Sequence, residues 1–181
     1  RVLCAGKDDL SKRNRQHFMS RIATGQWDAV IVPQSSFKLL PVKPETMNEF
    51  IESELDELRD FLQQLKASDD YDRRAMKEIQ KAIKRFEAKL VDKSEMAKDS
   101  TDTITWEQLG IDLLIVDEFH NFKNLYMHTK MTRIAGLPNT DSQRAFDMFV
   151  KVRNLLQNNK RFIGLTGTPL TNTMAEIFTM Q

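Results

Sequence analysis

The chain has 181 residues, 40% of them hydrophobic and 29% charged, with a formal net charge of +1. This length suits one domain with a hydrophobic core, and the near-zero net charge points to no class of partner by itself. The single cysteine, Cys4, excludes an internal disulfide framework, which fits a cytoplasmic protein. No apolar run reaches membrane-spanning length and no signal-peptide pattern opens the chain, so we expect no membrane partner.

Residues 1–41 predict a strand, a helix and a second strand. The runs RVLCA and WDAVIVP (27–33) are rich in β-forming residues. Between them Phe18 and Ile22 recur at helical spacing, and Gly25 follows as a C-cap. The chain opens in a strand-like run and stops in a helical pattern, so we expect it to be a piece of a larger protein.

Residues 42–100 predict an inserted helical hairpin. Apolar residues recur every three or four positions in two stretches separated by the polar run ASDD. They are Met47, Ile51, Leu55, Leu58, Leu62 and Leu65, and then Met76, Ile79, Ile83, Phe86 and Leu90. Such stripes on consecutive helices predict an antiparallel pair in which each helix buries the apolar side chains of the other. The alternative is an arm that offers the same stripes to a protein partner.

Residues 101–181 predict two more strands, IDLLIVD (111–117) and KRFIGLTG (160–167), on either side of an amphipathic helix. The helix residues that recur at helical intervals are Phe146, Phe149, Val150, Val152, Arg153 and Leu156. Near-continuous apolar strands that alternate with helices are typical of a parallel sheet covered on both faces. The predicted fold class is therefore α/β, with the hairpin inserted between sheet strands.

Two carboxylates, Asp117 and Glu118, come directly after the apolar run LLIV. Ligands of open α/β sheets bind beyond the carboxyl ends of the strands, which is where these side chains emerge. An aspartate there can hold a hydrated magnesium ion, and a neighbouring glutamate can orient or deprotonate an attacking water. Alternatively, the two carboxylates merely begin a helix, where the helix dipole favours them.

The next apolar strand also ends in small polar residues, namely Thr166, Gly167, Thr168 and Pro169. Its hydroxyl groups can bond to a carboxylate or to a nucleic-acid backbone, and its glycine permits close backbone approach. By itself the run is compatible with a plain turn. Two polar strand ends in one chain favour a shared site.

Three segments resemble the superfamily 2 helicases and translocases, most closely those with Swi/Snf-type motifs. VDEFHNFKN resembles their motif II with its DExH box, LTGTPLTNTMAEIF resembles motif III, and WDAVIVPQSSF is similar to the segment before motif II. The segments occur in the family's order. The resemblance implies the first RecA-like lobe, a P-loop NTPase-type sheet, of a DNA-dependent ATPase.

The resemblance implies a role for each matching residue. Asp117 would coordinate magnesium through water, Glu118 would polarise the water that attacks ATP, and His120 would couple the ATP site to motif III. The motif III residues that would relay the nucleotide state to bound DNA are Thr166, Gly167, Thr168, Pro169 and Asn172. The implied cofactors are ATP and magnesium.

The implied nucleic-acid partner is DNA, most simply double-stranded. Ser35 and Ser36 would lie near its backbone, although serines after a strand are also ordinary turn residues. Arg13 and Arg15 lie in a basic run that can contact phosphates, and a solvated helix face explains the same run equally well.

Departures from the family pattern limit what the chain does alone. Phe119 occupies a DExH position that usually holds a small residue. No GKT or GKS is present, so the phosphate loop is missing, and so is the second RecA-like lobe with its arginine finger. We therefore expect no ATP hydrolysis by this chain alone. The alternative function is a non-catalytic lobe that acts as a scaffold through its hairpin.

A narrower resemblance is to very large phage and mobile-element proteins that join such a helicase to an adenine-specific DNA methyltransferase. It is carried by WEQLGIDLLIVDEFHNFKNL and SQRAFDMFVKVRNLL. No DPPY-type or NPPY-type tetrapeptide is present in these 181 residues, so methylation would belong to other parts of the larger protein.

Overall fold

The computed structural model describes residues 1–67, 73–97, 103–122 and 143–168. The strands are β1 (Val2–Cys4), β2 (Ala29–Ile31), β3 (Leu113–Val116) and β4 (Arg161–Gly164). The α-helices are α1 (Arg15–Thr24), α2 (Gln34–Phe37), α3 (Pro44–Ala67), α4 (Arg73–Ala97) and α5 (Gln143–Gln157). Short 3₁₀ helices span Trp106–Leu109 and Phe119–Phe122. The protein is thus a mixed α/β structure, as predicted, with shorter strands than the apolar runs indicated.

The strands form two parallel pairs. β1 pairs with β2, with Leu3 opposite Val30, and β3 pairs with β4, with Val116 opposite Gly164. In the described part of the chain no ladder joins the two pairs, so the single continuous sheet of a RecA-like lobe is not present there.

One core lies on one face of both strand pairs. Phe18, Met19 and Ile22 of α1 join Met148 and Leu155 of α5 in a single buried cluster. Leu3 of β1 and Val116 of β3 belong to the same cluster, so both helices cover the same face.

The opposite face is open in the described residues, whereas the sequence pattern predicted cover on both faces. Its exposed large side chains are Val2, Ile31, Leu113, Ile115 and Ile163, with relative exposures from 43% to 58%. The reason is that α1 and α5 both pack on the other face.

The predicted helical hairpin is present. Its buried seam consists of Met47, Phe50, Ile51, Leu55, Leu58, Ile79, Ala82 and Phe86. Across the flank Arg59 forms an ion pair with Glu87 at 3.2 Å. Because only residues 68–72 separate α3 from α4 in the sequence and the two helices share this seam, they run antiparallel. The domain limits 1–41, 42–100 and 101–181 remain a prediction.

Helix α5 packs between the hairpin and the two strand pairs. Phe146 and Val150 lie in the hairpin's buried cluster, whereas Met148 and Leu155 lie in the cluster that contains Leu3 and Val116 of the strands. Leu156, which the periodicity grouped with the apolar positions, is 55% exposed. A helix that buries two faces places apolar residues at intervals that a single stripe does not predict.

The hairpin is also fixed to α5 by a polar contact. The guanidinium of Arg153 donates to Glu54 at 3.0 Å and to Ser53 at 3.0 Å, and it lies over the ring of Phe50.

No helix in the described ranges is long and apolar enough to cross a membrane.

Candidate functional site

Asp117 and Glu118 emerge at the carboxyl end of β3, as the sequence predicted, and both are exposed. Glu118 has a φ of 49°, a left-handed conformation that is uncommon for residues other than glycine. Its backbone N–H donates to Oδ1 of Asp117 at 2.9 Å. Unusual backbone conformations of this kind concentrate at functional sites.

His120 brings the ends of β3 and β4 together. Its Nδ1 lies 3.2 Å from Oε2 of Glu118, 3.0 Å from Oγ1 of Thr166 and 3.2 Å from Oγ1 of Thr168. The backbone N–H of Thr168 donates to Oγ1 of Thr166 at 3.1 Å. Because Nδ1 carries at most one hydrogen, it donates to one of these oxygens at a time or accepts from a hydroxyl.

The two strand ends are also joined through the backbone. The N–H of Phe119 donates to the carbonyl of Leu165 at 2.9 Å, and the N–H of Leu165 donates to the carbonyl of Val116 at 2.8 Å. The parallel pairing therefore continues past the strands and holds the DExH segment (residues 117–120) against the start of the predicted motif III.

Phe119, the bulky residue in the DExH segment, fits because the neighbouring strand carries a glycine. A Cβ atom at Gly164 would lie 2.8 Å from Cδ1 of Phe119. The Phe119 ring also packs against Phe162 and Phe122, with centroid separations of 5.1 Å and 6.0 Å. The absence of a side chain at Gly164 therefore leaves the space that the Phe119 ring occupies.

We expect Gly164→Ala to destabilise the fold, because the added methyl overlaps the Phe119 ring. The expected loss in the free energy of unfolding is about 1–3 kcal/mol, measured by denaturant unfolding. Gly167→Ala is the matched control, since a Cβ there meets nothing within 4 Å and its φ is not positive. Adding Phe119→Leu to Gly164→Ala should recover part of the loss, and equal losses at both glycines would contradict the explanation.

Gln34, at the start of α2, contacts the site from the other strand pair, and sequence reasoning missed it. Its Nε2 donates to the carbonyl of Asp117 at 2.8 Å, and its Oε1 accepts from Nδ2 of Asn121 at 3.3 Å. The available signal was its place three residues after the end of β2, at the carboxyl end of that strand. Arg144 of α5 also holds this segment, since it donates to the carbonyl of Asn121 at 2.7 Å.

The predicted nucleic-acid residues fall in two places: Ser35 and Ser36 follow β2 at this same end of the strands, and Arg13 and Arg15 lie at the start of α1. Ser35 is exposed and Ser36 is half-buried, both within α2 rather than in a turn. Arg13 is exposed before α1. Arg15 instead donates to the carbonyl of Leu39 at 3.2 Å, so part of its bonding capacity is used within the protein.

The rest of the predicted motif III is only partly placed. Gly167 is exposed, and no described atom lies where its missing side chain would be, so close approach of protein backbone does not require a glycine there. Pro169 and Asn172 lie outside the described residues.

The donor set at the end of β3 fits a magnesium ion. Two exposed carboxylates, Asp117 and Glu118, supply the hard oxygen ligands that magnesium prefers, and this ion commonly uses one or two carboxylates together with phosphate and water. Within the described ranges no group of three or more His, Cys, Asp and Glu side chains converges on one point.

The chain is 25% identical over 169 residues to the Defense against restriction protein B of Escherichia phage P1. That alignment covers 90% of this chain and 7% of the phage protein, so the chain spans only a small part of the curated relative. No solved structure matches the chain. Residues 1–181 match the family described as "Probable helicase domain", and because the match covers the whole chain, the protein belongs to that helicase-domain family.

Proposed function

We propose that this chain is part of the first RecA-like lobe of a superfamily 2 DNA-dependent ATPase, a helicase or translocase. The observation that carries the proposal is the cluster in which His120 contacts Glu118 of one strand end and Thr166 and Thr168 of the next. A nucleotide-driven motor needs such a connection between its hydrolytic carboxylate and the elements that respond to hydrolysis.

The residues at the end of β3 have distinct roles in this proposal. Asp117 would hold magnesium, and the ion would offset charge on the ATP phosphates. Glu118 orients the attacking water and accepts its proton. The left-handed backbone of Glu118 turns the chain directly after β3, and in this proposal both carboxylates serve one nucleotide site.

His120 links hydrolysis to motif III through a choice of hydrogen-bond partner. When Glu118 engages water, Nδ1 of His120 is free to bond to Thr166 or Thr168 instead. The arrangement of the threonine loop then depends on what the glutamate is bonded to.

We expect His120→Ala in the longer protein to weaken the coupling between DNA and ATP hydrolysis. The DNA-stimulated rate should fall about 5–150-fold toward the basal rate, the range of ordinary coupling free energies. The measurement is steady-state ATP hydrolysis with and without duplex DNA. An equal fall in both rates would show that His120 acts in the chemical step rather than in coupling.

In this proposal Gln34 transmits DNA binding to the DExH segment. It directly precedes the predicted DNA-contacting serines, and its side chain bonds to the carbonyl of Asp117. We expect Gln34→Ala to raise the DNA concentration needed for half-maximal stimulation about 5-fold or more while leaving basal hydrolysis within about 2-fold. Ser35→Ala, which keeps this bond, separates loss of DNA contact from loss of transmission. If DNA stimulated ATP hydrolysis by Gln34→Ala as it does the wild type, Gln34 would not transmit DNA binding to the DExH segment.

The partners follow from the same proposal. The longer protein would supply the phosphate loop and the second RecA-like lobe, and double-stranded DNA would be the nucleic acid. The name of the phage P1 relative, defense against restriction, is consistent with that choice. Adenine methylation, if the longer protein carries it, would reside outside this chain.

A scaffold role for the hairpin has less support. Its apolar seam is filled by its own two helices and by Phe146 and Val150 of α5, so the stripes that a partner would use are already covered. We therefore favour the ATPase function over the scaffold role.

The experiment that tests the proposed function is ATP hydrolysis by the purified longer protein with duplex DNA. DNA-stimulated turnover supports the motor. A folded protein that binds DNA and shows no turnover would overturn the proposal and return attention to a scaffold role.

A further inference from the structure

The two helices of the hairpin carry opposite charges on their exposed sides. On α3, exposed acidic side chains recur every three or four residues and form an acidic patch. Its members are Glu45, Glu49, Glu52, Asp56 and Asp60. On α4, exposed basic side chains recur at the same intervals and form a basic patch. Its members are Arg73, Lys77, Lys81 and Lys84. Residues at these intervals lie along one side of a helix.

Each patch lies on the side of its helix that faces away from the other helix. At about 100° per residue, the basic patch spans an arc of about 80° centred opposite Ile79, Ala82 and Phe86, the buried residues of α4. By the same geometry the acidic patch is opposite the buried residues of α3. Helix axes lie about 8–10 Å apart and side chains extend about 5 Å beyond each, so the two patches are about 20 Å apart.

The charge of the basic patch is not neutralised within the described part of the chain. None of the ion pairs among the described residues involves any of its side chains. The acidic patch lies well beyond the Debye length, which is about 8 Å at physiological ionic strength, so its field is largely screened at the basic patch. An anion that approaches the outer side of α4 therefore meets four cations and little opposing charge.

The dimensions of the basic patch suit a polymeric anion rather than a single small one. The helix rises about 16 Å between Arg73 and Lys84, at 1.5 Å per residue, so the two cations cannot contact the same phosphate. DNA carries one phosphate per about 3.4 Å of each strand, so the patch can lie alongside about five phosphates of one strand. Lysines that contact phosphates position a protein on DNA without reading its sequence.

We propose that the basic patch of α4 binds the phosphate backbone of duplex DNA without sequence preference, as a contact separate from the predicted serines of α2. The chain belongs to a helicase-domain family, so the polymeric anion that fits this patch is nucleic acid. The acidic patch repels phosphates on the opposite side, so the hairpin presents only one side to DNA. The inference rests on the proposed function for its partner but not for any ATP chemistry.

The salt dependence of DNA binding by the longer protein, measured without ATP, tests the proposal. The variant carries Lys77→Gln, Lys81→Gln and Lys84→Gln together. Each lost phosphate contact lowers the slope of log K against log salt concentration by about 0.9, so we expect a slope smaller by about 2–3 and binding about 10–100-fold weaker at physiological salt. Duplexes of different sequence should be affected alike. An unchanged slope would overturn the proposal.

Two matched variants show whether the effect comes from the charge of this patch. Arginine at the same three positions keeps the charge and should keep the slope of the wild type. The combination of Glu49→Gln, Glu52→Gln and Asp60→Asn neutralises three exposed charges on the opposite side of the hairpin and should not lower the slope. Equal losses of DNA affinity in the lysine and acidic variants would overturn the proposal, because the loss would not depend on the basic patch.

Chemical acetylation of lysines in the longer protein locates the contact directly. Saturating duplex DNA should remove most of the reactivity of Lys77, Lys81 and Lys84, and unchanged reactivity at all three would overturn the proposal. Protection that is present without DNA and disappears on dilution would also overturn it, because the acidic patch of a second copy would then be the partner. A lysine effect on DNA binding in a protein that shows no ATP turnover would contradict the proposed function alone.

Discussion

Replacing Glu118 by glutamine in the longer protein is expected to lower the DNA-stimulated rate of ATP hydrolysis about 10²–10⁴-fold, the usual contribution of a general base. The amide keeps the size of the side chain and removes the oxygen charge that accepts a proton from water. The affinity for ATP should change little, because magnesium and the phosphates are assigned to Asp117 and to the parts of the longer protein that bind the triphosphate. The measurement pairs steady-state hydrolysis with equilibrium binding of a fluorescent ATP analogue.

Two further variants separate chemistry from structure at this position. Glu118→Gly relieves the left-handed backbone strain, so it should lose turnover without losing stability. Asp117→Asn should instead weaken magnesium-dependent nucleotide binding, since it removes a charged oxygen ligand. If Glu118→Gln retained turnover within about 3-fold, a residue other than Glu118 would have to be the base.

The arrangement of this site was largely predictable because it depends on strand order and direction. Two apolar runs each end in polar residues, and the carboxyl ends of parallel strands meet at one edge. His120 and Thr166 are 46 positions apart, yet their side chains approach to 3.0 Å at that edge. The resemblance to the helicase motifs named the same residues.

Features that depend on register or on contacts between distant segments were not predictable. Gly164 gives room to Phe119 only because it lies opposite Val116, and a pattern of apolar residues does not set register to one position. The absence of a ladder between β2 and β3 in the described residues was not predictable either, because it depends on which strands lie side by side. Each strand has the same apolar pattern whether its neighbour is present or absent.

The buried lysine of α5 is the clearest departure from what its sequence indicated. Lys151 lies in an amphipathic helix, where a lysine is ordinarily exposed, yet its side chain is fully buried. Its ammonium donates to Oδ2 of Asp147 at 2.6 Å and to the carbonyl of Phe37 at 3.0 Å, and it lies 4.4 Å from the Phe37 ring centroid. Phe37 is far away in sequence, so helical periodicity carries no information about this contact.

This lysine is also connected to the candidate site through α2. The carbonyl that it binds ends α2, the helix that begins with Gln34, and Gln34 contacts the DExH segment. The ammonium therefore fixes the short helix that carries both Gln34 and the predicted DNA-contacting serines.

Asp147→Ala is expected to lower the free energy of unfolding by about 3 kcal/mol near neutral pH, because it leaves a buried ammonium without its counter-charge. Lys151→Met should cost less, about 1 kcal/mol, since it replaces the chain by an apolar one of similar volume and leaves a partly exposed carboxylate. The double variant should be more stable than Asp147→Ala alone. Denaturant unfolding of all four proteins measures the coupling, and simple additivity of the two losses would contradict a buried ion pair.

The pH dependence of stability provides the second test of this pair. Burial lowers the pKa of Lys151 below its usual value of 10.5, with Asp147 opposing that shift. Between the lowered pKa and 10.5 the unfolded chain binds more protons than the folded one, so the free energy of unfolding rises with pH in that window. This gain in stability is complete above 10.5, the pKa of the lysine in the unfolded chain. It is lost as the pH falls through the lowered pKa of the lysine in the folded protein.

Lys151→Met abolishes this titration, so its stability relative to the wild type should fall as pH increases toward 10.5. Asp147→Ala removes the charge that opposes the shift, so its window should open at a lower pH than that of the wild type. Unfolding curves recorded at several alkaline pH values for the three proteins check the order. A stability difference between wild type and Lys151→Met that does not change with pH would mean that burial leaves the titration of the lysine unperturbed.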